Sequence, residues 1–267
     1  MIQSQSQSLP EPTIEVMAIP AFQDNYIWLL RQGQCAAVVD PGDAEPVLAV
    51  LRQTGLQLTA ILVTHHHRDH QGGVSQLLRH HPVPVYAPQA ESITGCSVPL
   101  DGGESFSPDG FSAIFQVLAV PGHTRGHIAY SLPGMLFCGD TLFGAGCGKL
   151  FEGTPLQMSA AMDRIAALPD TTLIYCAHEY TEENLEFAIA VEPDNVDIQQ
   201  RIKDARRLRD QELATVPSLL SLEKATNPFL RSREPALIAA ARKRQPTLDA
   251  TDPVQVFACI RSWRDEW

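Results

Sequence analysis

The sequence predicts an α/β fold: a layered domain of strands and helices, followed by a smaller domain built from helices alone. As far as about residue 178, short apolar or β-branched runs recur with helical patterns between them, the mark of layered α/β architecture. Several runs are apolar at nearly every position, which suits strands covered on both faces. From about residue 179 the strand-like runs stop. Only helical spacing remains, cut into segments by proline and by Asp or Thr. The expected division is a short Gln/Ser leader without order over residues 1–12, the layered domain over 13–178 and the helical domain over 179–267.

The strands are read from TIEVMAI (13–19), CAAVVD (35–40), LTAILVT (58–64), FQVLAV (115–120), the apolar start of GMLFCGDTLF (134–143) and TTLIYCA (171–177). Between them, AEPVLAVLRQTG (44–55) has helical spacing and is closed by Gly55, and VSQLLRH after Gly72-Gly73 opens another helix. PLQMSAAMDRIAALP (155–169) opens and closes on proline. The tail is read as helices in TEENLEFAIAVEP, DNVDIQQRIKDARRLRDQEL, EPALIAAARKRQ and DPVQVFACIRSWRDEW. No internal repeat and no long linker interrupts the chain, so the two parts are expected to pack tightly.

Composition narrows the function. The 267 residues are 44% hydrophobic and 19% charged, ordinary for a globular protein with a sizeable core. A net charge of −11 argues against general nucleic-acid binding, which needs a basic footprint, and requires any anionic ligand to be met by a local cationic patch. The N-terminus lacks the basic and apolar regions of a signal peptide, and no run approaches the ~18 apolar residues of a membrane span. Six cysteines (35, 96, 138, 147, 176, 259) show no CxxC and no regular framework, so reduced thiols are expected. Together these features predict a soluble, cytoplasmic protein.

Residues 62–73 read LVTHHHRDHQGG, with four histidines and an aspartate leaving a strand at its carboxyl end, where α/β folds place their sites. In extended backbone residues i and i+2 point the same way, so His65 and His67 can share one metal while His66 points elsewhere, toward solvent or behind the ligands. Asp69 and His70 follow the turn and can face a second point. Further ligand types sit at the ends of other apolar runs: His123 and His127 in VLAVPGHTRGH, Asp140 in GMLFCGDTLF, and His178 in TLIYCAHEY. His127 is the doubtful one of these. Cys138 and Cys147 read as buried apolar thiols outside the site.

THHHRDH, PGHT, GDTLF and AHEY together resemble the successive metal motifs of the metallo-β-lactamase superfamily. Within it, IPAFQDNYIW, GDTLFGAGCGKLFEGT, AHEYTEENLEFA, TNPFLR and TDPVQVFACIRSWRDEW are similar to the glyoxalase II (hydroxyacylglutathione hydrolase) family, from about residue 13 to the C-terminus. The resemblance implies an αββα sandwich, two facing sheets with helices outside, as the catalytic domain, and a helical domain that binds substrate. It implies two divalent metal ions. Zinc is the first choice, and iron and manganese also suit imidazole and carboxylate ligands. His65, His67 and His123 would bind one ion and Asp69, His70 and His178 the other, with Asp140 bridging them together with a hydroxide. The implied reaction is hydrolysis of S-(2-hydroxyacyl)glutathione, such as S-D-lactoylglutathione, to glutathione and a 2-hydroxy acid, a step in methylglyoxal detoxification. The resemblance makes Asp69 and Asp140 its expected catalytic carboxylates.

Two divalent ions set against two aspartates and a hydroxide leave positive charge to stabilise an oxyanion. A thiol of pKa ~8–9 also makes an easy leaving group. Glutathione carries carboxylates, and Lys149 in the GCGK loop is a candidate partner. Arg261 and Arg264, three apart near the end of a predicted helix, share a face. Spacing alone leaves them between serving the helix dipole and holding a ligand. The resemblance assigns them, with Tyr180, to glutathione. Two departures bear on those contacts: Phe151 stands where some members have tyrosine, and Arg264 where lysine is frequent. The chain is expected to act as a monomer. The rival readings are another hydrolase of the superfamily, a mononuclear iron persulfide dioxygenase, and a metal-stabilised binding module without catalysis. The helical tail disfavours the first two, and an exchangeable water position the third.

Overall fold

The computed structural model describes residues 13–267, and the leader expected over 1–12 lies outside them. The first six-stranded sheet runs in chain order: β1 (Glu15–Ala21), β2 (Asn25–Gln32), β3 (Cys35–Val39), β4 (Gln57–Leu62), β5 (Val85–Pro88) and β6 (Val98–Leu100). On it lie the helices α1 (Ala44–Thr54), α2 (Arg68–Gln71) and α3 (Val74–His80). The next strands are β7 (Ser105–Phe106), β8 (Phe115–Ala119), β9 (Ile128–Leu132), β10 (Met135–Gly139), the short hairpin β11 (Leu142–Phe143) and β12 (Gly146–Cys147), and, after α4 (Pro155–Ala166), β13 (Leu173–Cys176). The tail supplies α5 (Thr181–Val191), α6 (Val196–Arg209), β14 (Ser218–Leu219), α7 (Leu220–Thr226), α8 (Pro235–Arg244) and α9 (Pro253–Asp265). The second six-stranded sheet has the order β14-β13-β10-β9-β8-β7.

Alternation along the strands builds the sandwich. Trp28, Leu30, Ala37, Val39, Ala60 and Leu62 of the first sheet share one core with Phe115, Val117, Ile128, Tyr130 and Phe137 of the second. Their neighbours Ile27, Leu29, Ala36, Val38 and Ile61 face the other way, onto Val47, Leu48 and Leu51 of α1 and Val74 and Leu77 of α3. A strand that buries both faces must be apolar throughout, which is why CAAVV carries no polar alternation. Local chemistry sets the helix ends. Asp43 caps α1 by accepting from Glu45 N, and Gly55 closes it with φ of 70°. Thr154 and Gln157 form a capping box ahead of α4, with Pro155 in its first turn.

One expectation is corrected. Strands do not end at residue 178, because β14 pairs antiparallel with β13 at Leu173↔Leu219 and Ile174↔Ser218 and edges the second sheet. A two-residue strand has no period to read. The tail is otherwise helical: Asp252 caps α9, in keeping with the Asp punctuation, and Asn195 caps α6.

Candidate metal centre

Strand ends and the short helix α2 deliver the ligand-type residues. Beyond β4, Thr64 donates from its backbone and its hydroxyl to Asp40, at 2.7 Å each, which fixes where the 65–67 loop begins. α2 then turns Asp69 and His70 back toward the same space. β8 leads to His123, β10 to Asp140 and β13 to His178. Gly139, at φ of 50°, lets the end of β10 come close: a Cβ there would stand 2.3 Å from Thr64 Oγ1.

The donor atoms converge in two groups, His65, His67, His123 and Asp140 in one and Asp69, His70 and His178 in the other, each with its atoms within 4.8 Å of one another. His67 Nδ1 lies 3.0 Å from both His65 Nε2 and His123 Nε2. Asp140 stands between the groups. Its Oδ2 is 3.4 Å from His123 Nε2, and its Oδ1 is 3.4 Å from His70 Nε2 and from His178 Nε2. Asp69 Oδ2 faces the same two nitrogens at 3.3 and 3.4 Å. The outward nitrogens of His70, His178 and His123 are occupied. His70 Nδ1 meets Asp40 Oδ2 at 3.1 Å, His178 Nδ1 meets Asp24 Oδ1 at 2.6 Å, and His123 Nδ1 donates to the Lys149 carbonyl at 2.8 Å. A ring that donates from Nδ1 turns the Nε2 lone pair inward, the state a metal needs.

The donor set fits divalent cations. His70 Nε2 and Asp140 Oδ1 are buried without a hydrogen-bond partner although they face each other. Such orphaned polar atoms are costly unless something accepts them. The field asks for positive charge as well. Burial opposes charging of His178, yet Asp140 and Asp69 outweigh it and push the imidazole up to about 10. His70 is likewise held well above its ordinary value by Asp140 and Asp40 against burial. Burial would raise Asp140, but His70 and His178 hold it well below the carboxylate range. Burial, reinforced by His70 and His127, holds His65 well below its ordinary value, leaving it neutral and free to ligate.

The structure separates the remaining candidates. His66 turns away to Glu91, as the i, i+2 rule requires. His127 belongs to neither group: it stacks on His65 at 4.6 Å and accepts from Asp140 N at 3.2 Å, so it supports the ligands. Phe151 is 61% exposed, with its ring 5.5 Å from His67 and 5.3 Å from His123. The exposed Lys149 reaches over that ring at 5.8 Å. Tyr180 stacks on His178 at 4.8 Å, and burial and Asp24 hold its phenol above the usual value. The arginine pair is not symmetric. Arg264 is half-buried over Phe187, whereas Arg261 is buried, donates to the Cys147 carbonyl at 3.0 Å and pairs with Asp265 at 3.1 Å. All six cysteines are free, and burial pushes the Cys138 thiol well up. Asp24, Asn25 and Asp40 were not singled out from the sequence. Asn25 donates to Asp69 Oδ2 at 3.0 Å. Asp40 had a visible signal, since it ends CAAVVD as Asp140 ends LFCGD. No helix among the described residues is long and apolar enough to cross a membrane.

Comparison with known proteins gives two adjoining matches. Residues 22–178 match the model described as metallo-beta-lactamase superfamily, and residues 179–267 the one described as hydroxyacylglutathione hydrolase C-terminus. The hydroxyacylglutathione hydrolase of Alkalilimnicola ehrlichii is 56% identical over 255 residues, covering 94% of this chain and 99% of its own. That of Dechloromonas aromatica is 62% identical over 210 residues, covering 79% and 78%. A crystal structure of ETHE1 from Myxococcus xanthus superposes with a TM-score of 0.64 at 22% identity, over 94% of this chain and 98% of that one, and so shares the fold.

Proposed function

The chain belongs to the hydroxyacylglutathione hydrolase family of the metallo-β-lactamase superfamily, and from that premise we propose how its site hydrolyses S-(2-hydroxyacyl)glutathione thioesters such as S-D-lactoylglutathione. The observation that carries the reading is the divided carboxylate of Asp140, one oxygen toward each donor group. In this reading His65, His67 and His123 hold one divalent ion and Asp69, His70 and His178 the other, with Asp140 serving both. Zinc suits this nitrogen and oxygen set, as do iron and manganese. When bound, such ions polarise a carbonyl and supply a water ionised near neutral pH. A second donor group speaks for this reading over a mononuclear iron dioxygenase.

The chain's own residues do the rest. Asp24 and Asp40 fix the tautomers of His178 and His70 through their Nδ1 atoms. Phe151 and Tyr180 flank the two groups and leave the space between them for the acyl carbon. The thiolate of glutathione, from a thiol of pKa ~8.5, departs without a proton from the protein. Lys149, Arg264 and Arg261 are assigned to the carboxylates of glutathione, with the buried Arg261 acting mainly through the Cys147 strand. We divide the chain after residue 178, where the two family models meet. Six unpaired thiols suit a reducing compartment, and we place the enzyme in the cytoplasm. One chain holds every residue used here, so it is taken to act as a monomer.

The test compares S-D-lactoylglutathione with a lactoyl thioester that lacks glutathione. Hydrolysis should favour the former by roughly 10-fold or more, the worth of one charge-assisted contact of about 1.5–3 kcal/mol. Activity should vanish on chelation and return with added divalent ions. Equal rates on both thioesters, or full activity in metal-free protein, would overturn the reading. The arginines separate by kinetics. Arg264→Ala should raise KM about tenfold with little change in kcat, the signature of lost uniform binding. Arg261→Ala should instead lower the melting temperature, because it strips the Cys147 carbonyl of its buried donor. Unchanged KM in the Arg264 variant would remove that residue from the substrate site.

A further inference from the structure

The three histidines of the first donor group leave two different strands. His65 and His67 follow β4, and His123 follows β8. Their convergence therefore depends on the spacing of two loops. Glu91, on the segment after β5, spans that gap with a side chain only 4% exposed. Its Oε2 accepts from His66 N at 2.6 Å and from His66 Nδ1 at 2.9 Å. Its Oε1 accepts from Gly126 N at 2.9 Å and from the Thr124 hydroxyl. One oxygen thus holds each loop. Gly126 makes room for it: a Cβ there would stand 2.6 Å from Glu91 Cγ and 3.0 Å from Ala90 Cβ. The segment carrying Glu91 is itself tied to α2, since Gln71 Nε2 donates to the carbonyls of His66 and Ser92 and Thr94 N donates to Gln71 Oε1. The second group is held by other carboxylates, Asp40 behind His70 and Asp24 behind His178.

We propose that Glu91 is a positioning residue for the first ion alone: it sets the distance between the 65–67 and 123–126 loops, and so the affinity of His65, His67 and His123 for their ion. This rests on the two-ion reading above. A carboxylate suits the place because four donors point at it, and a charged acceptor makes each of those bonds stronger than a neutral one would.

The test titrates metal-free protein with Zn2+ against a chromophoric chelator and follows melting of the metal-free forms in parallel. The unaltered protein should take up two ions; uptake of one overturns the two-ion reading and this inference together. Glu91→Ala should weaken one binding step about 10–100-fold, the usual scale for residues behind metal ligands, and leave the other in place. Glu91→Gln should fall between, because its amide end presents N–H to donors and frees one loop. Gly126→Ala should weaken the same step by displacing Glu91, so the test survives even if Glu91→Ala does not fold. Asp24→Ala should weaken the other step, and the Glu91→Ala, Asp24→Ala pair both. If the Glu91 and Gly126 variants melt earlier with both steps intact, or lose both steps equally, Glu91 is merely structural and the inference fails while the two-ion reading stands.

Discussion

Asp140→Ala should cost turnover on the order of 10³-fold and remove at least one metal ion. A single electrostatic donor in an active site is worth roughly 10²–10³-fold, and this carboxylate serves two donor groups at once. Its oxygens stand 3.4 Å from His123, His70 and His178, so in the two-ion reading its loss removes negative charge from between two cations, which then repel each other more strongly. Asp140→Asn keeps the shape and removes the charge, and should fall nearly as far. Metal analysis and initial rates on S-D-lactoylglutathione decide the matter. Near-normal metal content with near-normal turnover would place the bridge elsewhere.

Glu223→Ala should be the most destabilising single change in the tail. The carboxylate is fully buried and accepts from Ser218 Oγ at 2.6 Å, Ala145 N at 2.9 Å, Asn227 Nδ2 at 3.1 Å and the buried Arg201 guanidinium. Removing one member of a buried pair leaves the other charge uncompensated, at a cost of about 3–5 kcal/mol. At ~2–4 °C per kcal/mol for a chain of this size, the melting temperature should drop by roughly 10 °C. The pH dependence has a definite sign. Burial raises the Glu223 carboxyl, but Arg201 and its other partners bring it below its ordinary value of 4.5. Its contribution is therefore complete above that value and fades as pH falls through the folded-state pKa. Glu223→Gln should melt with less acid sensitivity below the ordinary carboxyl value of 4.5 than the unaltered protein, and Arg201→Met added to Glu223→Gln should restore part of the lost stability. A Glu223→Ala variant that melts as the parent does would show the pair to be idle.

How much of this was legible follows from sequence distance. The HxHxDH string could be read because its geometry is local: alternation in an extended loop sends His65 and His67 one way and His66 the other, and that is what the structure shows. His123, Asp140 and His178 were legible by the same rule, each at the end of an apolar run. Glu91 in PQAES offers no pattern, since its partners lie 25 to 35 residues away on two loops. Helical spacing put Arg261 and Arg264 on one face but could not say what covers it. The cover for Arg261 comes from Cys147, 114 residues earlier. The strands β11, β12 and β14, two residues each, are too short to carry a period.

The β11–β12 hairpin runs directly from Asp140 toward Lys149, and although the Cys138 thiol reaches the Leu142 carbonyl, most of its side-chain fastenings come from the tail, beginning with Asn184 on the Gly144 carbonyl. Asn227 Nδ2 donates to the carbonyls of Phe143 and Gly146, Glu223 takes the amide of Ala145, and Arg261 takes the carbonyl of Cys147. In chain order, every residue of the two donor groups stands at or before residue 178, whereas the tail partners of the turn that follows Asp140 come after it. A chain made from its N-terminus thus completes both donor groups before the tail side chains that fasten the turn leading to Lys149, Asn184 first and Arg261 last, are added.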